Sequence, residues 1–108
     1  PNPFDHLDVS QQCRELLEDM QYLDIEDWQP RKKNFTIGSC DFDGYRLCLV
    51  WDFPTLAVHI KGDHGPIWSY YEPTSTSFND TSLEDPANGR CLRFLLAAID
   101  AFRNRSDP

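Results

Sequence analysis

The dipeptide Asp43-Gly44, set between two β-prone stretches rich in aromatic and branched residues, constrains this chain more than any other feature. A type I′ turn needs positive φ at both central residues, and Asp-Gly meets that need at little steric cost. Phe35 to Phe42 and Tyr45 to Asp52 therefore read as the arms of a hairpin, with Phe42 facing Tyr45, Asp41 facing Arg46 and Cys40 facing Leu47. The Asp41–Arg46 pair joins opposite charges, worth ~0.5 kcal/mol. One face of the hairpin collects Thr36, Gly38, Cys40, Phe42, Tyr45, Leu47, Leu49 and Trp51, and the other holds Phe35, Ile37, Cys48 and Val50. Neither face is polar enough to be simply solvated.

Two further strands follow at short intervals. After Pro54, Thr55 to Ile60 alternates, with Leu56, Val58 and Ile60 on one side and Ala57 and His59 on the other. Gly62 to Pro66 supplies a turn. Ile67 to Tyr71 then makes a fourth strand, in which Trp68 and Tyr70 face away from Ile67, Ser69 and Tyr71. Short connections favour neighbouring antiparallel strands, so the expected sheet is a four-stranded meander. The basic run Arg31, Lys32 and Lys33 just before the first strand suits an edge position.

A helical pattern stands on either side of the strands. From Asp8 to Leu23, Val9, Cys13, Leu16, Leu17, Met20 and Leu23 recur on one face, behind a loose start. Asp8 can cap this helix with Gln11 completing a capping box, and Ser10 is a rival cap. Asp85-Pro86 is a cap followed by a proline at the first helical position. Beyond it, Cys91, Leu92, Leu95, Ala98, Ile99 and Phe102 form the stripe of a closing helix. Between Glu72 and Asp85 the chain is polar and rich in Ser and Thr, and reads as a long loop. The expected fold is a single α+β domain over residues 1–108: a two-layer sandwich, α-β-β-β-β-α, with both helices packed on one face of the meander.

Charge narrows the function. The chain carries a net charge of −8, which opposes nucleic acid and anionic membranes and suits a basic protein partner. The imbalance is concentrated: Asp5, Asp8, Glu15, Glu18, Asp19, Asp24, Glu26 and Asp27 fall within one segment against the single base Arg14. Arg90, Arg93, Arg103 and Arg105 make the closing helix as basic as the first is acidic. Acids near the end of a helix oppose its dipole, at a cost of ~0.3 kcal/mol or more each, so a role other than helix stability is expected for them. Metal coordination and plain solvation are the other readings of such a run.

No apolar run reaches the ~18 residues that span a bilayer. The expectation is a soluble, cytoplasmic protein, with a secreted or periplasmic one as the alternative. Sequons occur at Asn34, Asn79 and Asn104, a motif short enough to arise by chance. Four cysteines, Cys13, Cys40, Cys48 and Cys91, permit three pairings into two disulfides. The hairpin register points Cys40 and Cys48 to opposite faces, which disfavours a bridge between them. Cys13 and Cys91 lie on helix stripes that could meet, and buried free thiols are expected.

No P-loop, dinucleotide glycine fingerprint, H-E-x-x-H, nucleophile elbow or paired C-x-x-C is present in the sequence. The best catalytic constellation is His59, Asp63 and His64, with Asp52 on the adjoining strand, which could hold a metal or exchange protons. Its spacing follows no established ligand rule. The sequence therefore favours a binding protein over an enzyme, without a cofactor, docking on a basic partner in the manner of an inhibitor, antitoxin or immunity protein. Glu15, Glu18, Asp19, Asp24, Glu26 and Asp27 are its expected electrostatic surface, and Trp68 and Tyr70 its expected aromatic anchors. A chaperone or adaptor that dimerises through the closing helix or an edge strand is the second arrangement.

Overall fold

A computed structural model describes residues 2–23, 33–72 and 89–106. The element order is α1 (Gln11–Met20), β1 (Phe35–Phe42), β2 (Tyr45–Asp52), β3 (Thr55–Gly62), β4 (Gly65–Tyr71) and α2 (Arg90–Arg103). The strands form one antiparallel sheet in the order β1-β2-β3-β4, the meander that the short connections imply. Asp43 at φ 51 and Gly44 at φ 83 make the hairpin turn, with Phe42 opposite Tyr45 and Asp41 opposite Arg46. The β2–β3 turn consists of Phe53 and Pro54, joined by a cis peptide bond. The β3–β4 turn shrinks to Asp63 and His64, so both flanking strands are longer than their apolar alternation predicts.

Both helices cover one side of the sheet. Cys40, Phe42, Leu47, Leu49, Trp51, Leu56, Val58 and Ile60 point into the same core as Cys13, Leu16, Leu17 and Met20 of α1 and Cys91, Phe94, Leu95, Ala98, Ile99 and Phe102 of α2. At roughly 25 cal/mol per Å² of apolar surface removed from water, this layer is the main source of stability. Alternation along β2 carries the other set, Arg46, Cys48, Val50 and Asp52, to the far face.

Several expectations change on contact with tertiary structure. A β-bulge lies between Thr36 and Gly38, so Phe35 stands opposite Trp51 and packs against the core. The inserted residue reverses the faces of the strand's first half, and Phe35 and Ile37 both become core neighbours. Helix α1 starts at Gln11 with Ser10 as its cap, its Oγ accepting from the Cys13 amide at 3.1 Å, and it ends at Met20. Asp8 is not the cap. The start of the chain is not loose either: Phe4 is fully buried, with Leu7 N donating to Phe4 O at 3.0 Å.

Helix α2 begins at Arg90 behind Gly89, whose φ of 81 stops the helix from running further back. The predicted cap at Asp85-Pro86 lies outside the described residues. Glu72, at the end of β4, is buried and receives a fork of hydrogen bonds from Arg90, with Nε at 2.7 Å from Oε2. Glu72 also accepts from the Leu56 amide at 3.1 Å, so one carboxylate ties β4, β3 and α2 together. Cys13 meets Cys40 across the α1–β1 contact, where the sequence had offered Cys91 as its neighbour, and all four cysteines are free thiols.

Candidate protein-docking surface

Helix α1 is fixed to the outer edge of β1 by its first turn. Ser10 Oγ donates to Asp41 O at 2.7 Å, and the Asp41 amide donates to Gln12 Oε1 at 2.9 Å. Both bonds use backbone groups of Asp41 that point away from β2, which blunts this end of an otherwise open sheet edge. Gly38 lets the helix come close: a Cβ there would lie 2.6 Å from Leu16 Cδ1.

This docking decides where the acids go. With Cys13, Leu16, Leu17 and Met20 turned inward, helical periodicity projects Glu15, Glu18 and Asp19 outward, and all three are exposed. A shallow groove of about 280 Å³ runs between helix and strand, lined by Gln12, Glu15, Leu16, Asp19, Met20 and Ile37–Ser39. Its chemistry is mixed: carboxylates on the helix rim, apolar side chains from Leu16, Met20 and Ile37 beneath. Tyr22, just past the helix, is 85% exposed. The predicted acids Asp24, Glu26 and Asp27 lie outside the described residues.

Four of the described arginines pair with carboxylates other than those of the groove. Arg103 clamps Asp43 through two hydrogen bonds of 3.0 and 2.8 Å, reaches Asp8 O at 2.7 Å and lies over the Phe42 ring. Its hydrogen bonds to the Asp43 carboxylate raise the guanidinium pKa above its usual value. Arg90 pairs with Glu72, Arg46 with Asp41 at 3.1 Å, and Arg14 approaches Asp5 at 3.9 Å. Arg105 sits over the Phe102 ring at 3.7 Å and donates to Phe102 O. Among the described residues, no ion pair reaches Glu15, Glu18 or Asp19.

Trp68 and Tyr70 are half-buried and stack on each other with ring centroids 5.5 Å apart. Trp68 meets Phe102 edge-on at 5.2 Å, and Tyr70 stacks on Phe94 at 5.7 Å, so both belong to the wall between β4 and α2. Strands β1 and β4 are opposite edges of the sheet, which separates these rings from the α1 acids by three strand spacings, roughly 14 Å. The more accessible apolar side chains of β4 are Ile67 and Tyr71, each about half exposed. Tyr71 belongs to the aromatic run 68–71 that the sequence offers as interface or core, whereas Tyr22 and Ile37 were not singled out as contact residues; Tyr22 lies two residues past an acidic helix end, the one local signal that could have marked it.

His59, Asp63 and His64 are not brought together. His59 Nδ1 shares a 2.7 Å hydrogen bond with Ser69 Oγ on the far sheet face, and its ring meets Tyr71 edge-on. Asp63 and His64 form the exposed β3–β4 turn, four and five residues further along, roughly 13 Å or more at the rise of a strand. Asp52 and His59 do line one shallow hollow with Asn34, Thr36 and Val50. Among the described residues, no three His, Cys, Asp or Glu side chains converge as a metal site would require. No helix among them is long and apolar enough to cross a membrane.

Comparison with known proteins adds no relative: no family model, curated protein or solved structure matches this chain.

Proposed function

We propose that this chain is a small acidic binding module that docks on a basic protein partner, of the inhibitor, antitoxin or immunity-protein type, through the outer face of α1. One observation carries the reading: Glu15, Glu18 and Asp19 are exposed and reached by no cation among the described residues, while Arg90 and Arg103 of the basic closing helix are bound internally. Unpaired like charges on successive turns weaken a helix, by ~0.3 kcal/mol per pair. Their natural complement is a cationic surface, which they steer in at long range, while Leu16, Met20 and Ile37 in the adjoining groove supply apolar contact. Asp24, Glu26 and Asp27 extend the same charge along the sequence. In this reading Trp68 and Tyr70 act as supports for the β4 edge, or as anchors for a partner broad enough to span the sheet.

The test is a titration of the isotopically labelled chain with a lysine-rich peptide and with its glutamate-for-lysine counterpart, followed by amide shifts. The lysine peptide is expected to move α1 and Ile37–Ser39 at low salt, and the glutamate peptide to move neither. Shifts scattered over the whole surface, or confined to β4, argue against the α1 face.

A second reading, a dimeric adaptor, is favoured by the composition of β4. This edge strand, Gly65–Tyr71, carries no charged side chain and exposes Ile67 and Tyr71. Uncharged apolar edges are where strands of separate molecules pair. Light scattering at rising concentration separates the two: a constant monomer mass removes the dimer.

A further inference from the structure

Two buried cysteines stand where α1 meets β1, Cys13 on the helix and Cys40 on the strand. Cys13 and Cys40 are both fully buried, and they lie in the stretch of the contact bounded by the Gln12–Asp41 bond at one end and the approach of Leu16 to Gly38 at the other. The bonds from Ser10 and Gln12 to the Asp41 backbone flank the pair and fix the helix against the strand at that point. Cys48 points to the opposite sheet face and Cys91 belongs to α2, so neither shares this geometry.

We propose that Cys13 and Cys40 are a disulfide-forming pair, oxidised by a small-molecule disulfide such as oxidised glutathione, and that the bond staples α1 to β1. The Cys13 thiolate attacks one sulfur of the glutathione disulfide; a Cys13–glutathione bond forms, the original disulfide breaks, and one glutathione thiolate leaves and takes up a proton. Cys40 then loses its proton to solvent and attacks the Cys13 sulfur, forming the Cys13–Cys40 bond and expelling the second glutathione thiolate, which is protonated in turn. Two protein thiols are oxidised and one disulfide is reduced to two thiols. The hydrogen bond from Cys40 lowers the Cys13 pKa, against burial, while the same bond and burial raise that of Cys40, so Cys13 is the thiol that attacks first.

Because both sulfurs are buried, the reagent reaches Cys13 when α1 lifts from the sheet. A ten-residue helix has little stability of its own and depends on its packed face, so such opening precedes global unfolding. Closing the bond holds the wall of the acidic groove in place, an effect that does not depend on what the groove binds.

The experiment exposes the whole purified chain to excess oxidised glutathione at mildly alkaline pH, traps free thiols by alkylation and maps the product by mass. The expected product is lighter by two hydrogens, links the Cys13 peptide to the Cys40 peptide, reverts with dithiothreitol, and melts at a higher temperature than the reduced chain. Cys13→Ser is expected to abolish the link. Should that variant fail to fold, Cys48→Ser decides the matter, since it leaves the α1–β1 contact untouched and is expected to cross-link at the parent rate. Stable glutathione adducts without an internal bond, a link through Cys48 or Cys91, or loss of the link in Cys48→Ser each overturn the proposal.

Discussion

Gly38 and Leu16 meet where α1 crosses the bulged half of β1, and the fit leaves no room for a methyl group on the strand. Gly38→Ala is expected to cost about 1 kcal/mol, because Leu16 is a flexible side chain that can yield but is nearly buried when it does so. In a Leu16→Ala background, where the space is already open, the same change is expected to cost nearly nothing; urea titrations of the four-member cycle measure the coupling. Ser10 serves twice, as helix cap and as donor to Asp41 O. Its replacement by Ala is expected to lower stability by roughly 1–2 kcal/mol, at the upper end for a cap because a strand contact goes with it. Asp8→Ala, which removes the rival cap that sequence offered, is expected to change stability by less than about 0.5 kcal/mol. Equal losses at the two positions would contradict the assignment of the cap.

At the scale of elements, the joint between β4 and α2 depends on one buried carboxylate. Glu72 and Arg90 are almost wholly withdrawn from water, so removing one partner strands the other. Arg90→Met is expected to destabilise by about 3 kcal/mol, and Glu72→Gln by less, because the amide keeps its acceptor for the Leu56 amide. Thermal melts of both variants check the order. The strands themselves were legible in the sequence because their cues are local: Asp43-Gly44 demands a turn, and alternation in Thr55–Ile60 marks a half-covered strand. The bulge was not legible, since no turn residue or break in alternation marks it; it lies beside Gly38, where α1 from a distant part of the chain packs on the strand. The same cause hid Ser10 behind Asp8, two residues of equal local merit that only the Asp41 backbone distinguishes. Phe4 escaped notice because a single buried aromatic outside any periodic run leaves no pattern. For the candidate site, the exposure of Glu15, Glu18 and Asp19 followed from helical spacing, whereas the groove beside them needed the α1–β1 contact. His59, Asp63 and His64 were close in sequence, yet extended strand geometry carries neighbours apart faster than a helix would.

Taken whole, the molecule separates its charges. Arg103 and Arg90 hold α2 to the turn at Asp43 and to the end of β4, and so act as structural fasteners within the chain. Glu15, Glu18 and Asp19 face outward from the opposite part of the helical layer, beside an apolar groove. That division makes the surface anisotropic, and an anisotropic field orients an approaching partner before contact. Such steering is screened by salt, with a Debye length of about 8 Å at physiological ionic strength, whereas the short-range apolar contacts of the groove are screened far less. The most direct measurement is therefore the association rate of the chain with a basic partner recovered on it, taken across a range of ionic strength, for the parent and for the Glu15→Gln, Glu18→Gln, Asp19→Asn triple variant. The parent rate should fall steeply with salt, and the variant should associate roughly 10-fold more slowly at low salt with a much flatter dependence. Identical rates and identical salt slopes for the two proteins would contradict a docking surface on α1.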